Sequence, residues 1–478
     1  MADAFVREGF SVIPWNDGED TDESSGTKAS ILIINTCTVT SKSEQKARRL
    51  IRKALKDNSV SAIIVTGCYA QVEQEALEAI SSEYENRSFQ KRLFIIPGER
   101  KARILDLPRY LHASFGDISP ESSDLASLIG SWARMDSEGI PSADDTSFCF
   151  IPGDFSFHSR AFLKIQDGCN NHCAYCRVHI ARGKSRSLGA SRALSELKTL
   201  ENKGYEEAVL TGVNISQYCG SGASSAFMNL AELLEYLLAG TQRIRLRLSS
   251  IEPELFSPEF IRAVSHDRIR PHFHISLQSG SRTVLARMKR LYTPIEAEES
   301  IRLLRSSKID PFIGCDIITG FPGESSEEFE ETYNFCQRAA FSGIHAFPFS
   351  RRPGTEAWNM KNPVPEREAG QRAGKLTELA RSNRRDYICR WIGKEVEGIA
   401  IENRGKLRGF VPVISANYLR LRASWGAEIP PEPGSLLRCR ILGAISALQN
   451  RDLEQNSVPE QTPVSSDSRF DAEAEIIL

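Results

Sequence analysis

The strongest constraint on this chain is a rhythm. From residue 159 to about 388, short apolar runs alternate with longer amphipathic stretches. AFLKIQ, EEAVLTG, IRLRLSS, HFHISLQ, FIGCDIITG and GIHAFPFS have the length of strands. Between them, SRALSELKTLENKG, MNLAELLEYLLAG and EAEESIRLLRSSK repeat apolar residues at helical spacing. Six such units predict an α/β fold with a parallel sheet covered by helices, closed into a whole or partial (β/α)6 barrel. Barrels of this kind gather their chemistry at the carboxyl ends of the strands.

The flanks read differently. Residues 1–112 predict a Rossmann-like N-terminal domain. The runs ILIIN and SAIIVTG are buried strands, and SEQKARRLIRKAL between them is a helix with Ser43 placed to cap it. MADAFVREGF reads as a further helix and FSVIPW as a further strand. Residues 113–158 are rich in Ser, Asp and Pro and read as a connection. From 389 to 451, short alternating segments separated by Gly and Pro predict a small β-barrel. Residues 452–478 are polar and acidic and predict a mobile tail.

With 478 residues, two or three domains are expected. A formal charge of -2 argues against a protein coated in positive charge, but local basic faces suffice to meet phosphates. No apolar run is long enough for a bilayer and the start lacks a signal peptide, so a cytoplasmic protein without membrane partners is expected. In such a compartment, 11 cysteines point to metal or redox chemistry rather than disulfides.

Three of those cysteines sit together just after the first barrel strand, in KIQDGCNNHCAYCRVHIARGKSRS. Cys169, Cys173 and Cys176 are soft thiolate ligands suited to iron–sulfur or zinc. A [4Fe–4S] cube normally takes four cysteines, so three leave one iron open for chemistry. A structural zinc site completed by His172 or His179 is the rival reading.

This Cys-x3-Cys-x2-Cys spacing, with Tyr175 before the third cysteine, resembles the radical S-adenosylmethionine superfamily. The resemblance implies that the open iron is chelated by S-adenosylmethionine, which the cluster's electron cleaves to a 5′-deoxyadenosyl radical. A radical is what an unactivated C–H bond requires. More of the chain is similar to one branch, the methylthiotransferases. INTCTVT and TGCYAQ resemble its N-terminal cysteine motifs, LTGVNI, RLSSIEP, LQSGS, DIITGFPGE and FPFSRRPGT its successive barrel motifs, and the C-terminal β domain its TRAM module.

RLSSIEP and KIQDGCN resemble the enzymes that convert N6-threonylcarbamoyladenosine beside the tRNA anticodon to its 2-methylthio derivative. Isopentenyladenosine and ribosomal-protein branches are alternatives, and a zinc-containing RNA-binding protein is the non-enzymatic one. The resemblance implies two S-adenosylmethionines per product, the anticodon loop of tRNA as partner, an electron donor such as flavodoxin or ferredoxin, and a sulfur donor. It also implies a second [4Fe–4S] cluster on Cys37 and Cys68, each directly after a buried strand. The family's third ligand, on a Gly-Cys motif after a first strand, has no counterpart here. The expectation is that the true start lies upstream of Met1; the alternative is a genuine loss that leaves a defective or two-cysteine second cluster.

Further pocket residues are expected at the barrel strand ends. Gly212 and Asn214 end the second strand, Ser249 and Glu252 follow the third, Gln278 ends the fourth and Asp316 lies in the fifth. Glu252 is placed either to bind a ribose or amino group, or to pair with Arg245 or Arg247. Gly320 and Gly323 flank a turn whose amides can meet the cofactor. Arg182, Lys184 and Arg186 follow the cysteine loop and are placed to bind the cofactor carboxylate or tRNA phosphates, and Lys406, Arg408, Arg420 and Arg422 lie in the β domain among Phe410, Tyr418 and Trp425, as RNA contacts.

Overall fold

The computed structural model describes residues 1–13, 15, 29–88, 92–115, 122–135, 148–149, 159–222, 226–402, 409–426, 429–445 and 470–477. The chain divides into two compact units. One comprises Met1–Asp154, Asp167–Arg186 and Ser350–Asn359, and the other Phe155–Gln166, Ser187–Phe349 and Met360–Leu478.

The first unit is built on a parallel sheet of Ile31–Thr36, Ala62–Gly67 and Leu93–Ile95, in that order. The middle strand is buried along its whole length. Its residues alternate between two cores. Ile63 and Val65 join Ala47, Ile51, Ala54 and Leu55 of the helix Ser41–Lys56. Ala62 and Ile64 join Leu125, Ile129 and Trp132 of the helix Ser122–Arg134. That second helix lies inside the segment 113–158 expected to be a connection. Its apolar residues at i, i+4 and i+7 give it a core face that the surrounding polar residues conceal. Residues 10–13 of FSVIPW form no strand; Phe10 and Val12 pack against this same core. The helix Ser41–Lys56 is capped by Thr40, with Ser43 reciprocating from the third helical position.

The second unit carries the six expected parallel strands. Arg245–Leu248, Glu207–Thr211 and Ala161–Lys164 form one sheet, and His272–Gln278, Phe312–Thr319 and Gly343–Pro348 another. Parallel bridges Leu246–Ile269 and Ile251–Ile275 join them into a partial barrel. The C-terminal domain is a closed five-stranded barrel of Glu395–Ala400, Phe410–Ser415, Arg420–Ser424, Ala472–Ile477 and Leu436–Ala444. The strand Ala472–Ile477 comes from the expected mobile tail, so that expectation is corrected for these residues. Ala472 and Ala474 are buried while Glu473 and Glu475 point outward, a short period-2 pattern at the end of an acidic stretch. It closes the barrel and removes two open edges. Residues 452–469 lie outside the described residues.

A buried ion network ties this small barrel to the large one within the unit. Glu207 receives hydrogen bonds from Arg247 at 2.7 Å and Arg270 at 2.8 Å. Arg247 also donates to the carbonyls of Ala416 and Ser415 in the small barrel, at 3.0 and 3.1 Å, and Arg270 reaches Glu397 at 2.8 Å. Burial pushes the Glu207 carboxyl up, but Arg247, Arg270 and Arg160 outweigh it and hold it at about 2. Tyr387, Ile388 and Trp391 of the long helix Glu366–Trp391 complete the shared core with Phe312.

Candidate iron–sulfur and nucleotide site

The first unit brings both cysteine sets together with their supports. Cys37 follows the strand Ile31–Thr36, and Cys68 follows Ala62–Gly67, whose ends pair at Thr36 and Gly67. The two thiols therefore leave neighbouring strands at the same, carboxyl edge, as an open parallel sheet dictates. Gly67 has φ +98°, and a Cβ there would collide with the Thr36 carbonyl oxygen. Only glycine can lead the chain around this corner.

Cys169, Cys173 and Cys176 lie in the segment Asp167–Arg186 of the same unit. Cys173 is buried and the other two partly exposed, and none of the three is in a disulfide. The Asn171 amide donates to Cys169 Sγ at 3.4 Å and the Val178 amide to Cys176 Sγ at 3.3 Å. Likewise the Val39 amide donates to Cys37 Sγ at 3.4 Å. Amides aimed at sulfur favour thiolate, the form that ligates metal. Gly168, at φ +72°, allows the loop to fold back against the carbonyl of Lys184, where any Cβ would collide. Cysteines outside any disulfide, amide donors and tight glycine corners fit an iron–sulfur cluster.

Arg182 joins the two sets. Its Nε donates to Cys68 Sγ at 3.1 Å, and its Nη1 lies 3.7 Å from the Asp167 carboxylate. Burial opposes its charge, but Cys68 and Asp167 outweigh that and raise its pKa. The residue expected to meet cofactor carboxylate or phosphate is thus committed to a thiol across 114 positions of sequence. Lys184 is exposed, and Arg186 donates to the Arg182 carbonyl at 3.5 Å.

One support was not legible in the motifs. Glu44, on an otherwise basic helix, is buried and held by Arg177 Nη1 at 3.4 Å and by Arg352. Arg177 also binds Glu73 at 2.7 Å, and Arg352 reaches Thr38 and Ser41 at 3.2 and 3.1 Å. Arg177 immediately follows Cys176, and Arg352 lies in the FPFSRRPGT loop, so one carboxylate fixes the loops around the thiols. The signal in sequence was a lone acid among seven cations.

The second unit places the other expected residues. Gly212 packs against the Gln166 side chain, and the Asn214 amide donates to Gln166 Oε1 at 2.8 Å. Asn214 Oδ1 accepts from the Ser216 amide at 3.2 Å, so it organises its own turn. Among the described residues, Ser249 Oγ is buried with no hydrogen-bond partner. Glu252 pairs with Arg290. Neither expected partner is used, since Arg245 takes Glu206 and Arg247 takes Glu207. Gln278, buried at the strand end, has φ +64°, a strained conformation for a side-chain-bearing residue.

Asp316 accepts from His274 at 3.0 Å and His345 at 3.3 Å. Burial raises its pKa, but the two imidazoles outweigh that and hold it well below the usual carboxylate range. Cys315 points the other way, to Cys336 in the outer helix Ser326–Ala339, so Asp316 is on the inner face. The Gly320 and Gly323 amides are taken by Glu324 and by the Asn362 carbonyl, at 2.9 and 2.8 Å, which closes that turn to a ligand.

In the β domain, Arg422 pairs with Glu473 and lies over the Phe410 ring at 4.9 Å. The Arg420 amide donates to Asp471 at 2.8 Å. Tyr418 stacks on His272 at 4.1 Å and beneath Arg247 at 5.3 Å, an internal position rather than an RNA-facing one. Trp425 packs partly buried on the same core. Lys406 and Arg408 lie outside the described residues.

The Radical SAM superfamily model matches residues 163–336, and the model described as "Uncharacterized protein family UPF0004" matches residues 16–86. The chain is 37% identical over 481 residues to the threonylcarbamoyladenosine tRNA methylthiotransferase MtaB of Treponema pallidum, covering 92% of this chain and 94% of that protein. MtaB of Aquifex aeolicus is 32% identical, covering 92% and 95%. A tRNA-2-methylthio-N(6)-dimethylallyladenosine synthase of Hahella chejuensis is 29% identical, covering 80% and 81%. The chain belongs to the radical S-adenosylmethionine methylthiotransferase family, in the threonylcarbamoyladenosine tRNA branch.

Proposed function

We propose that this protein converts N6-threonylcarbamoyladenosine beside the tRNA anticodon to its 2-methylthio derivative. The observation that carries the reading is the paired thiol sets, Cys169/Cys173/Cys176 and Cys37/Cys68, in one compact unit, with Arg182 from the segment of the first set bonded to Cys68 of the second. The full-length relatedness to MtaB enzymes supports the substrate.

Cys169, Cys173 and Cys176 would hold a [4Fe–4S] cluster with one iron open to S-adenosylmethionine, and Cys37 and Cys68 would contribute to a second. When bound, these groups supply an electron, a carbon radical able to take hydrogen from an unactivated C–H bond, and the sulfur and methyl that replace it. The chain's own residues prepare the ground. The amides of Asn171, Val178 and Val39 stabilise sulfur charge, and Arg182 holds a cation against Cys68. Ser249 and Gln278 at the strand ends, and the imidazole-bound Asp316 within the strand Phe312–Thr319, would orient an adenosine. An anticodon loop offers an unstacked purine without duplex opening. The basic residues of the β domain supply phosphate contacts. Their pairs with Glu395, Glu473 and Glu475 are partly solvent-exposed, of the kind worth about 0–1 kcal/mol, and a phosphate can replace them. A flavodoxin or ferredoxin is the expected electron source, and the cytoplasm the expected compartment. No described helix is long and apolar enough to cross a membrane.

The test is anaerobic reconstitution with iron and sulfide, then incubation with reductant, S-adenosylmethionine and tRNA bearing threonylcarbamoyladenosine. A brown protein that cleaves S-adenosylmethionine and yields the methylthio nucleoside is expected. A colourless protein holding stoichiometric zinc would overturn the reading.

A further inference from the structure

The helix Ser41–Lys56 carries seven cations, Lys42, Lys46, Arg48, Arg49, Arg52, Lys53 and Lys56, and one carboxylate. That carboxylate, Glu44, is buried and turned to Arg177 and Arg352, and of the cations on its own helix it reaches Arg48, at 3.8 Å. The chain as a whole has a formal charge of -2, so this concentration of positive charge is local.

Its arrangement is more specific than its composition. Lys42, Lys46, Arg49, Lys53 and Lys56 are exposed and recur at intervals of four and three residues. That period lays them in one stripe along the helix, about 21 Å long with a cation roughly every 5 Å. Beside the stripe runs a groove of about 490 Å³ lined by Gln45, Arg48, Arg49, Arg52, Lys53 and Lys56. Arg48 is braced by the Tyr69 hydroxyl at 3.0 Å, and Arg52 lies 3.9 Å from Glu83. The helix is rigid, since Ala47, Ile51, Ala54 and Leu55 on its other side form the domain core.

We propose that this stripe is a binding site for the phosphate backbone of the tRNA substrate, separate from the thiols and from the β domain. The inference rests on the tRNA reading above. A row of evenly spaced cations suits a regular polyanion, whose phosphates recur about every 3.4 Å of axis along a duplex strand. An acidic protein is the other natural partner of a basic face. Protein interfaces, however, centre on a desolvated apolar core, and none of the exposed large hydrophobic residues lies on this helix. The contacts would position the tRNA and carry no base specificity.

The experiment uses the full-length, cluster-loaded protein and a tRNA bearing threonylcarbamoyladenosine. Binding is measured across a potassium chloride series for the parent, for the triple variant Lys46→Gln, Arg49→Gln, Lys53→Gln, and for Lys46→Arg, Lys53→Arg. Each phosphate contact contributes about 0.7–0.9 to the slope of log K against log salt. The glutamine variant should flatten that slope by about 2–3 and weaken binding equally for all tRNAs, and the arginine variant should keep the parent slope. Circular dichroism and cluster absorption report that the fold is retained. A glutamine variant with the parent's slope and affinity overturns the inference while leaving the tRNA reading intact. So does one that binds tRNA normally but is reduced more slowly by a flavodoxin-type donor. A parent that neither binds nor modifies tRNA overturns the underlying reading instead.

Discussion

Replacing Glu207 by glutamine should be among the most damaging single changes in the second unit. The carboxylate is fully buried, and the substitution leaves Arg247 in place without its counter-charge and Arg270 with only the part-exposed Glu397. Its carboxyl falls from an ordinary 4.5 to about 2 in the folded chain. At about 1.4 kcal/mol per unit, that difference corresponds to roughly 3 kcal/mol of interaction favouring the ionised form. Removing one partner of a buried pair typically costs about 3–5 kcal/mol. The two routes agree in size. Because the folded pKa is depressed, the contribution is fully present above about pH 4.5 and drains away as pH falls toward 2. Differential scanning calorimetry of the E207Q variant should show the transition of the second unit displaced downward by several degrees at neutral pH. Its acid-side loss of stability should also be shallower than the parent's. Since Arg247 grips the carbonyls of Ser415 and Ala416, hydrogen exchange in the small barrel should rise as well. A shift worth less than about 1 kcal/mol, or an unchanged acid slope, would refute the reasoning.

Four further outcomes are expected. Cys173→Ala should abolish reductive cleavage of S-adenosylmethionine and lower bound iron while leaving the Cys37/Cys68 site populated, as iron analysis and electron paramagnetic resonance can show. If Cys37 and Cys68 hold the proposed second cluster, Arg182→Ala should weaken its retention against a chelator by about 10–100-fold, with Arg182→Lys intermediate, because Arg182 donates a hydrogen bond to Cys68. Gly67→Ala forces a side chain into a left-handed corner against the Thr36 carbonyl and should lower the first unit's melting transition by at least the ~1–3 kcal/mol of such strain. Truncation before residue 470 removes the closing strand Ala472–Ile477 and should expose the small barrel to limited proteolysis.

Much of this architecture was legible because its signals are local. The six barrel strands each announce themselves within eight residues, and Cys169, Cys173 and Cys176 are separated by two and three positions. Local reading failed where a residue's environment is made by distant chain. Arg182 looked like a phosphate ligand until the fold set it on Cys68, and Glu252 found Arg290 rather than the arginines just before it. Glu44 has the pattern of a solvated helix residue, yet buried arginines from two other segments converge on it. The helix Ser122–Arg134 and the strand Ala472–Ile477 were missed for a related reason. Each is a short apolar pattern inside a polar, low-complexity stretch, and burial against the rest of the domain, not propensity, makes it regular.

On the proposed function, these thiols and this barrel put a methylthio group on threonylcarbamoyladenosine in tRNA. Its most direct test is mass spectrometry of tRNA nucleosides from a strain deleted for this gene, with and without the parent or the Cys169→Ala variant restored. Deletion should abolish 2-methylthio-threonylcarbamoyladenosine and accumulate its unthiolated precursor, and the parent alone should restore it. An unchanged level of the methylthio nucleoside in the deletion strain would contradict it.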